Sequence, residues 1–172
     1  PRTAGDRRFL IGIFLLALGV RVAVGLGTDS WHVPPDDDHW AFGYEMGRIA
    51  GSLAAGHGFA YPTDPPQPTA WMAPVYPMIL AAIFRSFGIF SPESSLVVLG
   101  AQAVVSALSC VLLFILATRF FDRSVGRMSA VLLTFYPASI HFAVQKIWAT
   151  TFSTALLILL VILFVRPHGL FG

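Results

Sequence analysis

The stretch Ser94–Thr118, SSLVVLGAQAVVSALSCVLLFILAT, runs for 25 residues without a charge. A helix rises 1.5 Å per residue, so about 20 such residues cross the ~30 Å hydrocarbon core of a bilayer. Three other stretches share this character. Phe9–Gly27 holds a single charge, Arg21, while Met128–Gln145 and Ile147–Val165 hold none over 18 and 19 residues. Four spans are therefore expected, at about 9–27, 94–118, 124–142 and 147–165. Backbone polar groups in lipid must be satisfied within the segment, which makes these spans helices. A β-barrel needs alternating polarity along each strand, and the unbroken apolar run Leu156–Val165 excludes it. The expected fold class is all-α: a polytopic membrane module of four transmembrane helices with smaller interfacial helices.

Composition agrees. The 172 residues are 56% hydrophobic and 12% charged, about half the charge of an ordinary soluble domain. The net charge of +2 is scattered and forms no basic stripe, so no nucleic-acid partner is expected. Cys110 is the only cysteine; it sits mid-span as a small apolar residue, and no disulfide framework can form within the chain. The first span has the basic start of a signal peptide, Arg7-Arg8, but no small-residue cleavage site is obvious after it and further spans follow. It reads as a retained helix. The chain lacks an initiator Met and stops just after the fourth span, so a piece of a longer protein is expected.

Charge sets the orientation, because cytoplasmic loops are enriched in Lys and Arg. With the N-terminus in the cytoplasm, the inner segments carry Arg2, Arg7, Arg8, Arg119, Arg123, Arg127 and Arg166, against Arg48, Arg85 and Lys146 outside. The acids sort the other way. Asp29, Asp36, Asp37, Asp38, Glu45, Asp64 and Glu93 fall outside, as do Trp31, Trp40, Trp71 and Trp148. An interface belt accounts for the tryptophans; sugar stacking on a flat ring is the sharper reading.

The outer loop 28–93 is where function is expected. Residues 28–37 contain two prolines and several turn formers, which make a loop. An amphipathic interfacial helix is expected over 38–56. Phe42, Met46, Ile49 and Leu53 share one face, Glu45, Arg48 and Ser52 lie on the other, and Gly56 follows as a C-cap. Its apolar face is expected to lie in the headgroup boundary. Asp36-Asp37-Asp38 stands where the first span delivers the chain to that helix. Capping needs one carboxylate, and three adjacent ones repel unless a cation or a substrate uses them. Residues 60–70 hold four prolines and form a loop. A second, juxtamembrane helix is expected over 77–88, because Pro77 suits a first turn. His32, His39 and His57 match no zinc-ligand spacing and read as interface histidines. In the remaining spans, Gln102 suits an interhelical hydrogen bond, and Tyr136-Pro137 predicts a kink. A short turn near Gln145-Lys146 makes the last two spans an antiparallel hairpin.

The order of these parts resembles the N-terminal module of bacterial GT-C glycosyltransferases, the family 39 group related to protein O-mannosyltransferases and lipid A aminoarabinose transferases. The resemblance is carried by Asp36-Asp37-Asp38, the run Glu45–Phe59, Ala73-Pro-Val-Tyr-Pro77, Phe87-Gly88, Gln102, Arg119-Phe120-Phe121 and Tyr136-Pro137. It covers nearly the whole chain. It implies a bacterial inner-membrane enzyme with its site on the periplasmic or extracellular side. A sugar would pass from a polyprenyl-phosphate donor to an acceptor glycan, lipid or protein. An outer-loop Asp would be the general base, with Asp37 or Asp38 favoured over Asp36. Arg85, Lys146 and Arg48 would stabilise the departing phosphate, and Glu45, Trp71 and Tyr76 complete the expected substrate-binding set. The acidic triplet also has the oxygen ligands that Mg²⁺ takes.

Two features depart from the family pattern. The triplet lies further upstream of the interfacial helix than the family's acidic pair. Lys146-Ile-Trp-Ala-Thr150 supplies no acid at the start of the fourth span, where many relatives carry one. Two other classes compete. A transporter or flippase predicts ionisable groups inside its spans; only Arg21 is there, and it is expected to snorkel to the outer end. A non-catalytic membrane subunit would use the acidic loop to dock a partner.

Overall fold

The computed structural model describes residues 4–30, 44–61, 63 and 65–164. In chain order the elements are α1 (Ala4–Gly27), α2 (Glu45–Ala54), β1 (Ala60–Tyr61), β2 (Gln67–Pro68), α3 (Val75–Phe87), α4 (Pro92–Phe120), α5 (Arg123–Phe135), α6 (Pro137–Val144) and α7 (Thr150–Phe164). Two helices are long and apolar enough to cross a membrane: Gly5–Gly27, of 23 residues, and Pro92–Phe120, of 29. The described residues group into two compact units, one of 4–24, 102–144 and 150–164, the other of the described parts of 25–101 and 145–149.

The first unit is a bundle with a fixed sense of direction. The Arg123 guanidinium, at the start of α5, lies 3.4 Å from the Asp6 carboxylate near the start of α1. Arg119, at the end of α4, donates to the carbonyl of Ile162 near the end of α7 at 2.5 Å. So α1 and α5 run one way, α4 and α7 the other. Small residues bring the helices close. Ala17, Ala107, Cys110 and Ala130 are buried with Ile13 and Phe114, and Phe9 packs on Phe114 with ring centroids 5.1 Å apart. Gly126 is required where α5 passes the end of α4: a Cβ there would meet Thr118 Oγ1 at 2.9 Å and the Phe114 carbonyl at 3.2 Å. The α4–α5 turn is fixed by Asp122, whose side chain accepts from the amides of Ser124 at 2.7 Å and Val125 at 2.9 Å. It is an N-cap of the ordinary kind.

The bundle is polar inside and apolar outside. Arg21, Gln102 and Thr134 are fully buried, and Ser106, Ser109 and Thr151 nearly so. Leu15, Leu132, Leu156, Leu157 and Leu163 are exposed. Gln102 Nε2 donates to the carbonyls of Phe142 and Ala143, both at 3.3 Å, the interhelical role expected of it. The stretch expected as one span over 124–142 is broken rather than bent. Tyr136 is extended (φ −67°, ψ 115°) between α5 and α6. Pro137 has no N–H, and its ring drives the residue before it out of the helical region. Thr151 Oγ1 donates back to the Phe142 carbonyl at 2.9 Å across the α6–α7 turn.

The second unit packs α2 on α3. Met46, Ile49 and Ala50 of α2 and Leu80, Ala81 and Phe84 of α3 are buried. This changes the reading of the interfacial helix: Met46 and Ile49 of its expected apolar face are buried within the protein and Leu53 is partly buried, while Phe42 lies outside the described residues. The element with outward apolar residues is α3, through Val75, Met78 and Ile79, preceded by exposed Trp71. Helix α2 starts at Glu45, after the non-helical Tyr44 (φ 40°, ψ −95°); residues 38–43 lie outside the described residues. Helix α3 starts at Val75, two residues before the expected 77, which leaves Pro77 in the first turn where no N–H is needed. Between them β1 and β2 pair antiparallel, Ala60 with Pro68 and Tyr61 with Gln67.

Candidate functional site

The expected general bases, Asp36, Asp37 and Asp38, lie outside the described residues, as do His32 and His39. The expected substrate-binding residues are described, and the structure separates them into two groups.

Four have structural or outlying positions. Tyr76 is buried at 6% exposure in the second unit, and burial raises its phenol above the usual tyrosine range. Arg85 Nη2 donates to the Leu53 carbonyl at 2.9 Å and so covers the carbonyl end of α2. Trp71 is 77% exposed. Lys146 lies in the α6–α7 turn, which groups with 25–101.

Glu45 and Arg48 share the first turn of α2. The Arg48 guanidinium is held between two tyrosines, 4.2 Å from the Tyr44 ring centroid and 5.9 Å from that of Tyr61. Its Nη1 donates to the Tyr61 hydroxyl at 3.1 Å. Such cation–π contacts fix the fork without consuming its remaining N–H groups. Among the described residues Arg48 forms no ion pair.

Arg48 lines a cleft of about 210 Å³ together with Gly51, Ser52, Ala55, His57, Ile89 and Phe90. Local structure explains its shape. Arg48 and Ser52 stand one turn apart on the same helix face. At the end of α2 the His57 amide donates to the Ser52 carbonyl at 2.9 Å and the Gly56 amide to the Leu53 carbonyl at 3.2 Å. This is a Schellman close, and Gly56 supplies the left-handed residue it requires (φ +88°). It returns His57 over Ser52. The far wall is Ile89-Phe90, held by Phe84 with ring centroids 5.2 Å apart. Ser52 and His57 stand outside the expected site. The signal for them was the spacing of Arg48 and Ser52 with Gly56 as a helix stop. The Ile89-Phe90 wall has no signal in the sequence near α2.

The first unit holds a second cavity, of about 200 Å³, lined by Ser106, Ser109, Ser139, Tyr136, Phe142 and Thr151 among others. Beside it lies Arg21, which does not snorkel. Its guanidinium turns into the bundle, and its N–H groups reach Ser106 Oγ (2.7 Å), Ser139 Oγ (3.0 Å), the carbonyls of Ala17 (3.0 Å) and Thr134 (3.3 Å), and Cys110 Sγ (3.9 Å). All five donors of the guanidinium are thus engaged. Among the described residues no group of three or more His, Cys, Asp or Glu side chains is placed to hold a metal ion. Comparison with models of protein families, with characterised proteins and with solved structures gave no match to this chain.

Proposed function

We propose that the chain is part of an integral-membrane glycosyltransferase of the GT-C type, working on a polyprenyl-phosphate sugar donor at the non-cytoplasmic face of a bacterial inner membrane. In this reading four segments cross the bilayer: α1, α4, the α5–α6 pair and α7. The observation that carries the membrane reading is the inverted bundle, with Arg21, Gln102 and Thr134 inside and leucines such as Leu132, Leu157 and Leu163 outside. Water would penalise that exterior and lipid does not. The helix directions agree with the charge bias. Asp6, Arg119 and Arg123 are drawn to the ends of α1, α4, α5 and α7 that the bias assigns to the cytoplasm. The described parts of the two connections assigned to the other side, 28–93 and 145–149, fall in one unit.

The enzymatic reading rests on the residues that resemble the family. A lipid-linked donor keeps its tail in the membrane, so its phosphate lies at the interface. Asp37 or Asp38 would take the proton from the acceptor as the sugar leaves the phosphate, and Arg48 and Lys146 would stabilise the developing charge. Arg85 contributes less, because its guanidinium is already engaged by Leu53.

The test is sugar transfer from a polyprenyl-phosphate donor by the full-length protein carrying Asp36→Asn, Asp37→Asn or Asp38→Asn. Loss of a general base lowers turnover by about 10²–10⁴-fold. Wild-type turnover in all three variants would remove the catalytic assignment. A transporter is the second reading, favoured by buried Arg21 beside a cavity whose lining includes Ser106 and Ser139. Substrate flux across proteoliposomes that is lost in Arg21→Met and kept in the Asp variants would support it instead.

A further inference from the structure

We infer that the cavity beside Arg21 holds a small monovalent anion of the halide class, which balances that buried cation. The site depends neither on the aspartates nor on sugar transfer. Arg21 is fully buried in the bundle. Its N–H groups go to two hydroxyls, two carbonyls and a thiol. The Cys110 thiol in turn donates to the Ser106 carbonyl at 3.6 Å. These neutral acceptors satisfy the donors and leave a net positive charge inside. Among the described residues no carboxylate pairs with Arg21, and no acid is among the residues that line the neighbouring cavity of about 200 Å³. A buried charge is costly unless it is paired as well as hydrogen-bonded.

The lining also keeps donors for an anion. Ser106 Oγ and Ser139 Oγ each accept from Arg21, lie 3.3 Å apart and belong to residues that line the cavity. A hydroxyl carries one proton, so the contact between the two serines uses one of the pair's protons. The other has no acceptor among the described residues. Neighbouring Ser109 and Thr151 differ, because each donates to a carbonyl, of Val105 and Phe142 respectively. The break at Pro137 adds two amides. Helix α6 begins there, and the Thr134 carbonyl accepts from Arg21. The amides of Ala138 and Ser139, in the first turn of α6, have no partner among the described residues. Both residues line the cavity, and the amide end of a helix favours negative charge.

One cation balances one negative charge, so a dianion such as sulfate would leave a charge unpaired. Leu133, Tyr136 and Phe142 make the rest of the wall apolar, which favours an ion that gives up its water easily. The volume exceeds the share of one water, about 30 Å³, several times over. Tyr136, Thr150 and Thr154 are exposed members of the lining and leave the cavity open to entry.

The test is equilibrium dialysis of radiolabelled chloride with the purified full-length protein, at constant ionic strength in gluconate. Saturable binding of a single ion per chain is expected, displaced readily by iodide and thiocyanate and poorly by sulfate. Affinity should fall about tenfold or more in Arg21→Met, as loss of a charged partner does, and be largely kept in Arg21→Lys, which retains the charge. Ser109→Leu is the second variant. It fills the cavity while leaving every Arg21 contact in place, so it should abolish binding even if Arg21→Met does not fold. Dialysis below each variant's thermal midpoint separates affinity from stability. No saturable chloride binding to the wild type, wild-type affinity in Ser109→Leu or in folded Arg21→Met, or displacement by sulfate as effective as by iodide would overturn the proposal. Sugar transfer and substrate flux are read separately, so this site and the proposed function fail independently.

Discussion

Arg21 Nε donates to Ser106 Oγ at 2.7 Å across 85 residues of sequence, and this bond joins α1 to α4 inside the bundle. With the other N–H contacts of the same guanidinium it connects α1, α4, α5 and α6 through one buried cation. The cost of a buried charge is met by hydrogen bonds. Removing one acceptor leaves an unsatisfied donor, which typically costs about 1–3 kcal/mol. Ser106→Ala is therefore expected to lower the thermal unfolding midpoint in detergent. In Arg21→Met the same serine change should cost much less. A double-mutant cycle by thermal unfolding measures the coupling, and strictly additive costs would contradict the assignment.

Gly126 tests the closest helix approach. A methyl group there meets Thr118 Oγ1 at 2.9 Å and the Phe114 carbonyl at 3.2 Å. The carbonyl belongs to a helix backbone and cannot turn aside. Gly126→Ala is expected to destabilise by about 1–3 kcal/mol, as overpacking does. Adding Thr118→Ala relieves only the hydroxyl clash and should recover part of the loss in the same unfolding measurement.

Gly56 isolates backbone strain. Its φ is +88°, and a Cβ added there would meet nothing within 4 Å. Gly56→Ala thus changes conformation without packing, and a left-handed L-residue costs about 1–2 kcal/mol. The expected readout is faster amide exchange at Gly56 and His57, whose N–H groups close α2. Unchanged exchange would mean that the turn does not depend on the left-handed residue.

Tyr76 predicts an alkaline limit. Burial raises its phenol above the free value of about 10, so the folded chain holds the proton more tightly than the unfolded chain does. Its stabilising contribution is complete below about pH 10 and is lost as pH rises through the higher folded value. A pH series of thermal midpoints should fall above about pH 10 in wild type and fall less steeply in Tyr76→Phe. Parallel curves would assign the fall to other groups.

Asp122 tests the α4–α5 turn. Its carboxylate accepts from the amides of Ser124 and Val125. Loss of such a cap costs about 0.5–2 kcal/mol, so Asp122→Ala should lower the midpoint while Asp122→Asn and Asp122→Ser retain most of it.

The cleft is only half legible in the sequence. Arg48 and Ser52 share a helix face by spacing, and Gly56 marks where that helix stops. His57 reads as an ordinary interface histidine because its position depends on how the helix closes. Ile89-Phe90 is a wall about 30 or more residues away in sequence, and no local pattern announces it. The fate of Arg21 is hidden for a similar reason. Its distance from the end of α1 permits snorkelling, and only the acceptors on three other helices turn it inward.

The sequence by itself marked the long helices, in uncharged runs such as Ser94–Thr118. It determined an interruption at Tyr136-Pro137, expected as a kink and found as a break, because Pro137 restricts its neighbour whatever the surroundings. It also determined the helix stop at Gly56, whose backbone freedom acts within a few residues. Only the tertiary structure decided what covers the apolar face of α2, where α3 shows its apolar residues, which way Arg21 points, and which groups meet around Ser52. Those outcomes depend on side chains distant in sequence, and an amphipathic period states that a face will be covered without stating what covers it.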